Sequence, residues 1–322
     1  MGWVVGIILA LVAIDLLVRL TFVKVIVPVF EKMPPFGVVP ADPDSNAERV
    51  EIPTTDGLTL RGSLYVHEDR EARGLIIFCP ELGGNHWMAM RYCEGLRDAG
   101  FDLLAFDFRN QGESDSMPGY SPLHWLTEYE VADALSVIAW SRKRDDLANL
   151  PIGLFGVSRG AGAALAAAAR SNDVECVAGD SAFSTNALLE SHARRWAEMY
   201  GPVWLLKLVP FWHIRFTLLL VRLTCQFRKR CRYTILERWL PQLRNKAVYL
   251  VAGKRDSYVP PTITEELARR IGSNCRDTWV VARAKHNMAR TTEPEEYDRR
   301  LVEFFSHMST NAVTSPVSQA QA

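Results

Sequence analysis

Apolar and polar positions divide the chain into one long N-terminal apolar block and a region where short apolar runs alternate with amphipathic stretches. The block runs unbroken from Trp3 to Ile14. Asp15 and Arg19 then bracket Leu16 to Val18, and apolar character resumes from Leu20 to Val23 and, past Lys24, to Phe30. A membrane-crossing helix needs about 20 predominantly apolar residues. Residues 3 to 23 supply them if Asp15 and Arg19 are tolerated, and a helix would bring these two onto one face, where they can pair. A cleaved signal peptide carries positive charge ahead of its apolar stretch and a small-residue site behind it. Here Arg19, Lys24 and Lys32 all follow the stretch, and no such site is present. We expect an uncleaved membrane anchor over residues 1–32, with a helix lying in the interface or packed on the remaining chain as the alternatives. The positive-inside rule then places the following domain in the cytoplasm.

Residues 33–47 are rich in Pro, Asp and Ser and read as a linker. From residue 48 the runs alternate. Val50–Pro53 and Leu58–Val66 flank Asp56-Gly57, a hairpin signal. Leu75–Cys79, Phe101–Phe106, Ile152–Val157, Val174–Ala178, Ala247–Val251 and Trp279–Ala282 read as further strands. Helices are expected over Trp87–Asp98, Leu123–Arg144, Ala161–Arg170, Thr262–Ile271 and Pro294–His307. Short strands alternating with helices predict an α/β domain over residues 48–308. Its central sheet is mostly parallel, with helices on both faces. Residues 183–245 form an apolar, aromatic insertion expected to be a helical cap. It contains PVWLLKLVPFWHIRFTLLLVRL and the basic run Phe227 to Arg232. That insertion is either a lid that touches lipid or a cap packed on the body. Residues 309–322 are polar and aperiodic and read as a disordered tail.

Bulk composition adds mainly exclusions. The 322 residues carry 37 basic and 37 acidic side chains, so nothing global favours nucleic acid. The six cysteines show no zinc-ligand or C-x-x-C spacing and read as free thiols of a reducing compartment. No metal or organic cofactor is called for.

Chemistry concentrates at Gly156-Val157-Ser158-Arg159-Gly160. This G-x-S-x-G sequence follows an apolar strand and opens an Ala-rich helix. A tight strand-to-helix turn lifts the central side chain clear, and the helix N-terminus favours developing negative charge. The bland alternative is a packing turn with a capping serine. A nucleophilic serine needs a base and the base needs an orienting carboxylate, in the chain order Ser, Asp or Glu, His at such turns. His286 follows the strand reading TWVVARA and is the favoured base. His192 and His213 fall in the insertion and His307 near the last helix. Asp256, after the strand AVYLVAG, is the favoured acid, with Asp180 as its rival one strand earlier.

With Ser158, Asp256 and His286 in this order, the chain resembles the α/β-hydrolase superfamily, and more narrowly its membrane-anchored members and related bacterial hydrolases. TTDGLTLRGSLYV, FDFRNQGESD, GVSRG, VAGKRDSYVPP and the late HN carry the resemblance over residues 48 to 307. It implies an oxyanion hole made of the backbone N–H groups of Arg159 and Leu82. Two departures stand out: Pro80-Glu81 where many relatives have His-Gly, and Asn110 where the family pattern has glycine. Asp107 and Arg109 read as a structural ion pair. The expected activity is that of a membrane-anchored serine hydrolase cleaving esters or thioesters of acyl or lipid-like substrates through an acyl-enzyme on Ser158. A serine peptidase and a catalytically inactive binding module are the alternatives.

Overall fold

The computed structural model describes residues 2–33, 37–67, 71–200 and 210–308. The expected tail (309–322) and part of the expected cap (201–209) lie outside the described residues.

Eight strands form one sheet: β1 (Glu48–Pro53), β2 (Thr59–Tyr65), β3 (Leu75–Cys79), β4 (Asp102–Phe106), β5 (Ile152–Val157), β6 (Val174–Asp180), β7 (Ala247–Gly253) and β8 (Cys275–Val281). Their order is β1-β2-β4-β3-β5-β6-β7-β8. Only the pairings of β1 with β2 and of β2 with β4 are antiparallel; β3 to β8 are parallel. This is the mostly parallel sheet the alternation predicts. The central strands β3, β4 and β5 are buried at every position. Covered on both faces, they appear as continuous apolar runs rather than alternating ones.

One face is packed by α3 (Glu128–Ser141), α4 (Arg159–Arg170) and α7 (Pro261–Ile271), around aliphatic side chains such as Ile77, Leu104 and Leu154. The other face carries α2 (Ala89–Asp98) and α9 (Pro294–Phe305), with Tyr92, Leu96, Tyr297, Leu301 and Phe305 against Phe78 and Phe155. Ala residues dominate α4 because it lies against the sheet with no room for longer side chains. Ala163, Ala164, Ala166 and Ala167 are all fully buried. The α3 helix begins five residues after the expected Leu123. Thr127 and Glu130 form a reciprocal capping box there, satisfying orphan N–H groups, and the apolar residues before it belong to a buried loop.

The N-terminal block is one helix, α1 (Gly2–Phe30), and it is the one helix among the described residues long and apolar enough to cross a membrane. Its first half projects with its apolar side chains exposed, and only Arg19, Val23, Val27 and Phe30 are buried. Its second half packs with α6 (Phe211–Lys229), which belongs to the insertion with α5 (Thr185–Tyr200). Asp15 and Arg19 pair as their spacing predicts, Nε to Oδ2 at 2.6 Å. Short α8 (Ala289–Thr292) precedes α9.

Candidate active site

Ser158 sits between the end of β5 and the start of α4 with φ 54° and ψ −119°. A non-glycine residue with positive φ is uncommon and marks a constrained turn. The two glycines of the motif make the turn possible. A Cβ on Gly156 would collide with the Gly160 carbonyl, and one on Gly160 would collide with the carbonyl oxygens of Cys79 and Pro80. The Ser158 N–H donates to the Asp180 carbonyl at 2.8 Å, tying the turn to β6.

Three distant residues converge here. Ser158 Oγ lies 2.9 Å from His286 Nε2. His286 Nδ1 lies 2.6 Å from Asp256 Oδ2. The other Asp256 oxygen accepts from the N–H groups of Tyr258 and Val259, both at 2.8 Å. The carboxylate is thereby held in one orientation by its own loop. Tyr258 also sets its ring edge-on to His286, with centroids 5.2 Å apart. Asp180, the rival acid, points elsewhere: it accepts from Ser181 Oγ at 3.0 Å and Tyr297 OH at 2.9 Å. Burial pushes its carboxyl up to about 6.

Arg159 presents its backbone at the first turn of α4 while its side chain is wholly buried. The guanidinium donates to the Leu123 carbonyl at 2.9 Å and approaches Glu130 at 3.4 Å. Leu82 follows β3 in the turn from Glu81 to Gly84, where the Gly84 N–H donates to the Glu81 carbonyl at 3.0 Å. Leu82, Arg159 and Ser158 line one cavity of about 470 Å³, together with His124, Gln111 and Tyr258. A second cavity, of about 700 Å³, lies on the His286 side and includes Asp256, Asn287 and Met288. Residues just after α1 form a wall of this region: Gly37 and Val38 border both cavities, and Met33 and Pro40 the first. This contribution from the linker has no signature in the sequence, since a Pro-rich stretch reads as a connector wherever it runs.

One reading of the sequence changes. Asp107 and Arg109 do not form an ion pair with each other. Arg109 instead reaches Asp133 and Asp56, each at 2.6 Å. Asp107 accepts from the backbone N–H groups of His86 at 2.6 Å and Glu113 at 2.8 Å, and burial pushes its carboxyl up to about 7. The two side chains of a strand-end D-x-R sequence serve different loops here. Asn110 explains its own departure from glycine. It adopts φ 61°, which Asn tolerates, and its side chain bonds to the backbone of Met117 and Tyr120.

Among the described residues no group of three or more His, Cys, Asp or Glu side chains is arranged to hold a metal ion. All six cysteines are free. The arrangement at Ser158 can pass a proton from a hydroxyl to an imidazole that a carboxylate orients, beside backbone donors at a helix N-terminus.

Residues 74–229 match the family described as alpha/beta hydrolase fold. An uncharacterized 31.7 kDa protein of Escherichia coli is 31% identical over 136 residues, covering 42% of this chain and 46% of that protein. A thiohydrolase of Arthrinium phaeospermum is 34% identical over 126 residues, 38% of each chain. The chain thus spans less than half the length of these curated relatives. Among solved structures, an esterase of Pyrococcus furiosus superposes with TM-score 0.61 at 22% identity, covering 86% of this chain and 98% of that one.

Proposed function

We propose that this chain, an α/β-hydrolase superfamily protein, is a membrane-anchored serine hydrolase that cleaves esters or thioesters of acyl substrates. The observation that carries the reading is the relay from Ser158 Oγ through His286 to Asp256, with separations of 2.9 and 2.6 Å. His286 Nε2 takes the Ser158 proton as Oγ attacks the carbonyl carbon. Asp256 keeps the imidazole oriented and offsets the charge it gains. The N–H groups of Arg159 and Leu82 receive the oxyanion, and collapse expels the alcohol or thiol, which leaves with the proton from His286. Water, deprotonated by His286, then attacks the acyl-enzyme, and the acid departs. No cofactor is required for this sequence.

The substrate class follows from the surroundings. Gly37 and Val38, just past α1, wall both cavities, so a substrate held by the bilayer lies near the site. In α6 the exposed residues Trp212, Phe216, Leu219, Leu223 and Phe227 recur at intervals of three or four and form one apolar stripe. Arg215, Arg222 and Lys229, spaced by seven, run along one flank of the stripe. We assign the stripe to the membrane interface, beside α1, while Arg215 and Arg222 on its flank tie α6 to Glu190 and Asn186 of α5. The domain lies on the cytoplasmic side, because Arg19, Lys24 and Lys32 follow the apolar half of α1.

The deciding experiment is labelling of the detergent-solubilised full chain by a fluorophosphonate probe, followed by kinetics on matched acyl ester, thioester and peptide substrates. Labelling of wild type that vanishes in Ser158→Ala, with turnover of esters or thioesters, supports the reading. Turnover confined to the peptide substrate makes it a peptidase. No labelling of folded wild type makes it a binding module.

A further inference from the structure

Glu81 stands two residues past the end of β3, and its side chain is buried rather than turned to solvent. Its carboxylate is fully used. One oxygen accepts from Tyr92 OH at 2.8 Å, and the other accepts from Asn287 Nδ2. Asn287 directly follows His286 and holds φ 56°. Its N–H donates to Ser181 Oγ at 3.3 Å, and Ser181 Oγ donates to Asp180 Oδ1 at 3.0 Å. Tyr297 OH completes the run by donating to the other Asp180 oxygen at 2.9 Å. Six polar side chains thus tie the ends of β3 and β6, and helices α2 and α9, to the loop that carries His286.

We infer that Glu81 is a positioning residue for His286: its carboxylate grips Asn287 and so fixes the loop that presents the imidazole to Ser158. This rests on the serine hydrolase reading above. Asp256 orients the ring from one side through Nδ1, and the neighbouring Arg255 N–H holds the Ala284 carbonyl at 2.9 Å, but neither reaches Asn287 on the far side of the histidine. Glu81, on the Asn287 side chain, supplies the restraint there, beside Ser181 Oγ on the Asn287 N–H. The side chain reaches from the loop after β3 across to the histidine loop. Gly83, at φ 80°, and Gly84 then absorb the turn that brings the backbone back. The setting favours a hydrogen-bonded carboxyl over a solvated one. Burial pushes the Glu81 carboxyl up, against the opposing effects of Tyr92, His286, Asn287 and Arg91.

The test exchanges donor and acceptor across the pair. Asn287→Asp sets two carboxyl groups against each other. Glu81→Gln in the same chain restores a donor, because the Gln amide can donate to the carboxylate introduced at position 287 while its oxygen still accepts from Tyr92. Misplacing a reacting group by about 1 Å costs on the order of 100-fold. Asn287→Asp and Glu81→Ala are therefore each expected to slow fluorophosphonate labelling and kcat on a soluble acyl ester about 30-fold or more, with KM changed less than about 3-fold. The double variant Glu81→Gln/Asn287→Asp is expected to recover to within about 5-fold of wild type. Labelling of Glu81→Ala at the wild-type rate overturns the inference, as does a double variant no faster than Asn287→Asp alone. If Glu81→Ala does not fold, the exchange pair still decides. Absence of labelling in wild type itself overturns the hydrolase reading first, and this inference with it.

Discussion

The indole nitrogen of Trp125 donates to the backbone carbonyl of Phe30 at 2.7 Å, and the two rings stack with centroids 4.3 Å apart and planes within 6°. A helix leaves its last carbonyls without partners. Trp125 satisfies one of them and clamps the end of α1 to the loop before α3. Phe30 is buried to 1% exposure, so its ring acts as a core residue although it closes the long apolar helix α1. Truncating a buried aromatic costs about 3–5 kcal/mol. Phe30→Ala should therefore lower the unfolding free energy of the detergent-solubilised chain by that amount and open residues 37–47 to protease. A loss below about 1 kcal/mol would mean that α1 is docked elsewhere.

The two candidate acids are separable by substitution. Asp256 Oδ2 touches the imidazole, whereas Asp180 reaches Tyr297 and Ser181. Exchanging the orienting carboxylate of a triad for an amide leaves the histidine in the wrong tautomer and lowers kcat about 10⁴-fold. Asp256→Asn should show a loss of that order. Asp180→Asn should lose less than about 30-fold, because it acts only through the histidine loop. Steady-state kinetics on one soluble ester compares the two. Equal losses would put Asp180 in the relay.

Gly160 lies where the first turn of α4 crosses the end of β3, and its missing side chain is a steric requirement. A Cβ there would overlap the Cys79 carbonyl oxygen, which is backbone and cannot swing away. Overpacking of this kind costs about 1–3 kcal/mol or more. Gly160→Ala should destabilise at the upper end of that range and displace the loop carrying Leu82, abolishing labelling at Ser158. Gly37→Ala, which meets nothing within 4 Å, should leave stability unchanged and serves as the control. Thermal melts of both, read with probe labelling, check the pair.

How far the sequence exposed this arrangement depends on burial. The strands β3 and β5 coincide with their apolar runs because every position is buried. The edge strand β8 begins four residues before the predicted Trp279. Its leading positions are largely exposed and carry Arg276 and Asp277, so no apolar run announces it. Ser158, Asp256 and His286 could be singled out because each follows a strand signal. Glu81 and Asn287 are 206 residues apart, and nothing local in either marks the other as its partner. Arg109 stands out only through the family motif it belongs to, while its partners Asp56 and Asp133 lie 53 and 24 residues away. Contacts of that kind are set by how strands stack, which periodicity does not encode.

His124 gives the fold a pH dependence. Burial pushes its imidazole down to about 3, with His192 and Arg159 contributing. The folded state therefore holds His124 neutral, while the unfolded chain protonates it near the ordinary value of 6.5. The stability owed to the neutral ring is complete above pH 6.5 and is lost as pH falls from there toward 3. Each pH unit below the ordinary value costs about 1.4 kcal/mol from this group. Near pH 5 the penalty is about 2 kcal/mol. Wild type should lose more stability than His124→Phe between about pH 7 and about pH 5, by roughly that difference. Parallel curves for the two proteins in urea unfolding would show that the ring is solvated.

Arg19 is where the membrane reading meets a quantitative test. Its guanidinium is buried between α1 and α6, bonded to Asp15 Oδ2 at 2.6 Å and to the His213 carbonyl at 2.9 Å, and it lies over the Phe216 ring at 4.9 Å from the centroid. His213 Nδ1 also approaches Asp15 Oδ1 at 3.4 Å. Asp15 itself lies on the open side of α1. In water, Asp15 would lose little when Arg19 is removed, since an exposed carboxylate is well solvated and such pairs are worth about 0–1 kcal/mol. In hydrocarbon a stranded carboxylate is costly, about 2.5–3.5 kcal/mol at a helix centre on insertion scales. The double-mutant cycle of Asp15→Asn and Arg19→Leu, measured in lipid nanodiscs, separates these cases. A spanning α1 predicts that Arg19→Leu is rescued by adding Asp15→Asn, with a coupling of at least about 1 kcal/mol. A coupling near zero would place this stretch of α1 in water and leave the anchor without its proposed depth.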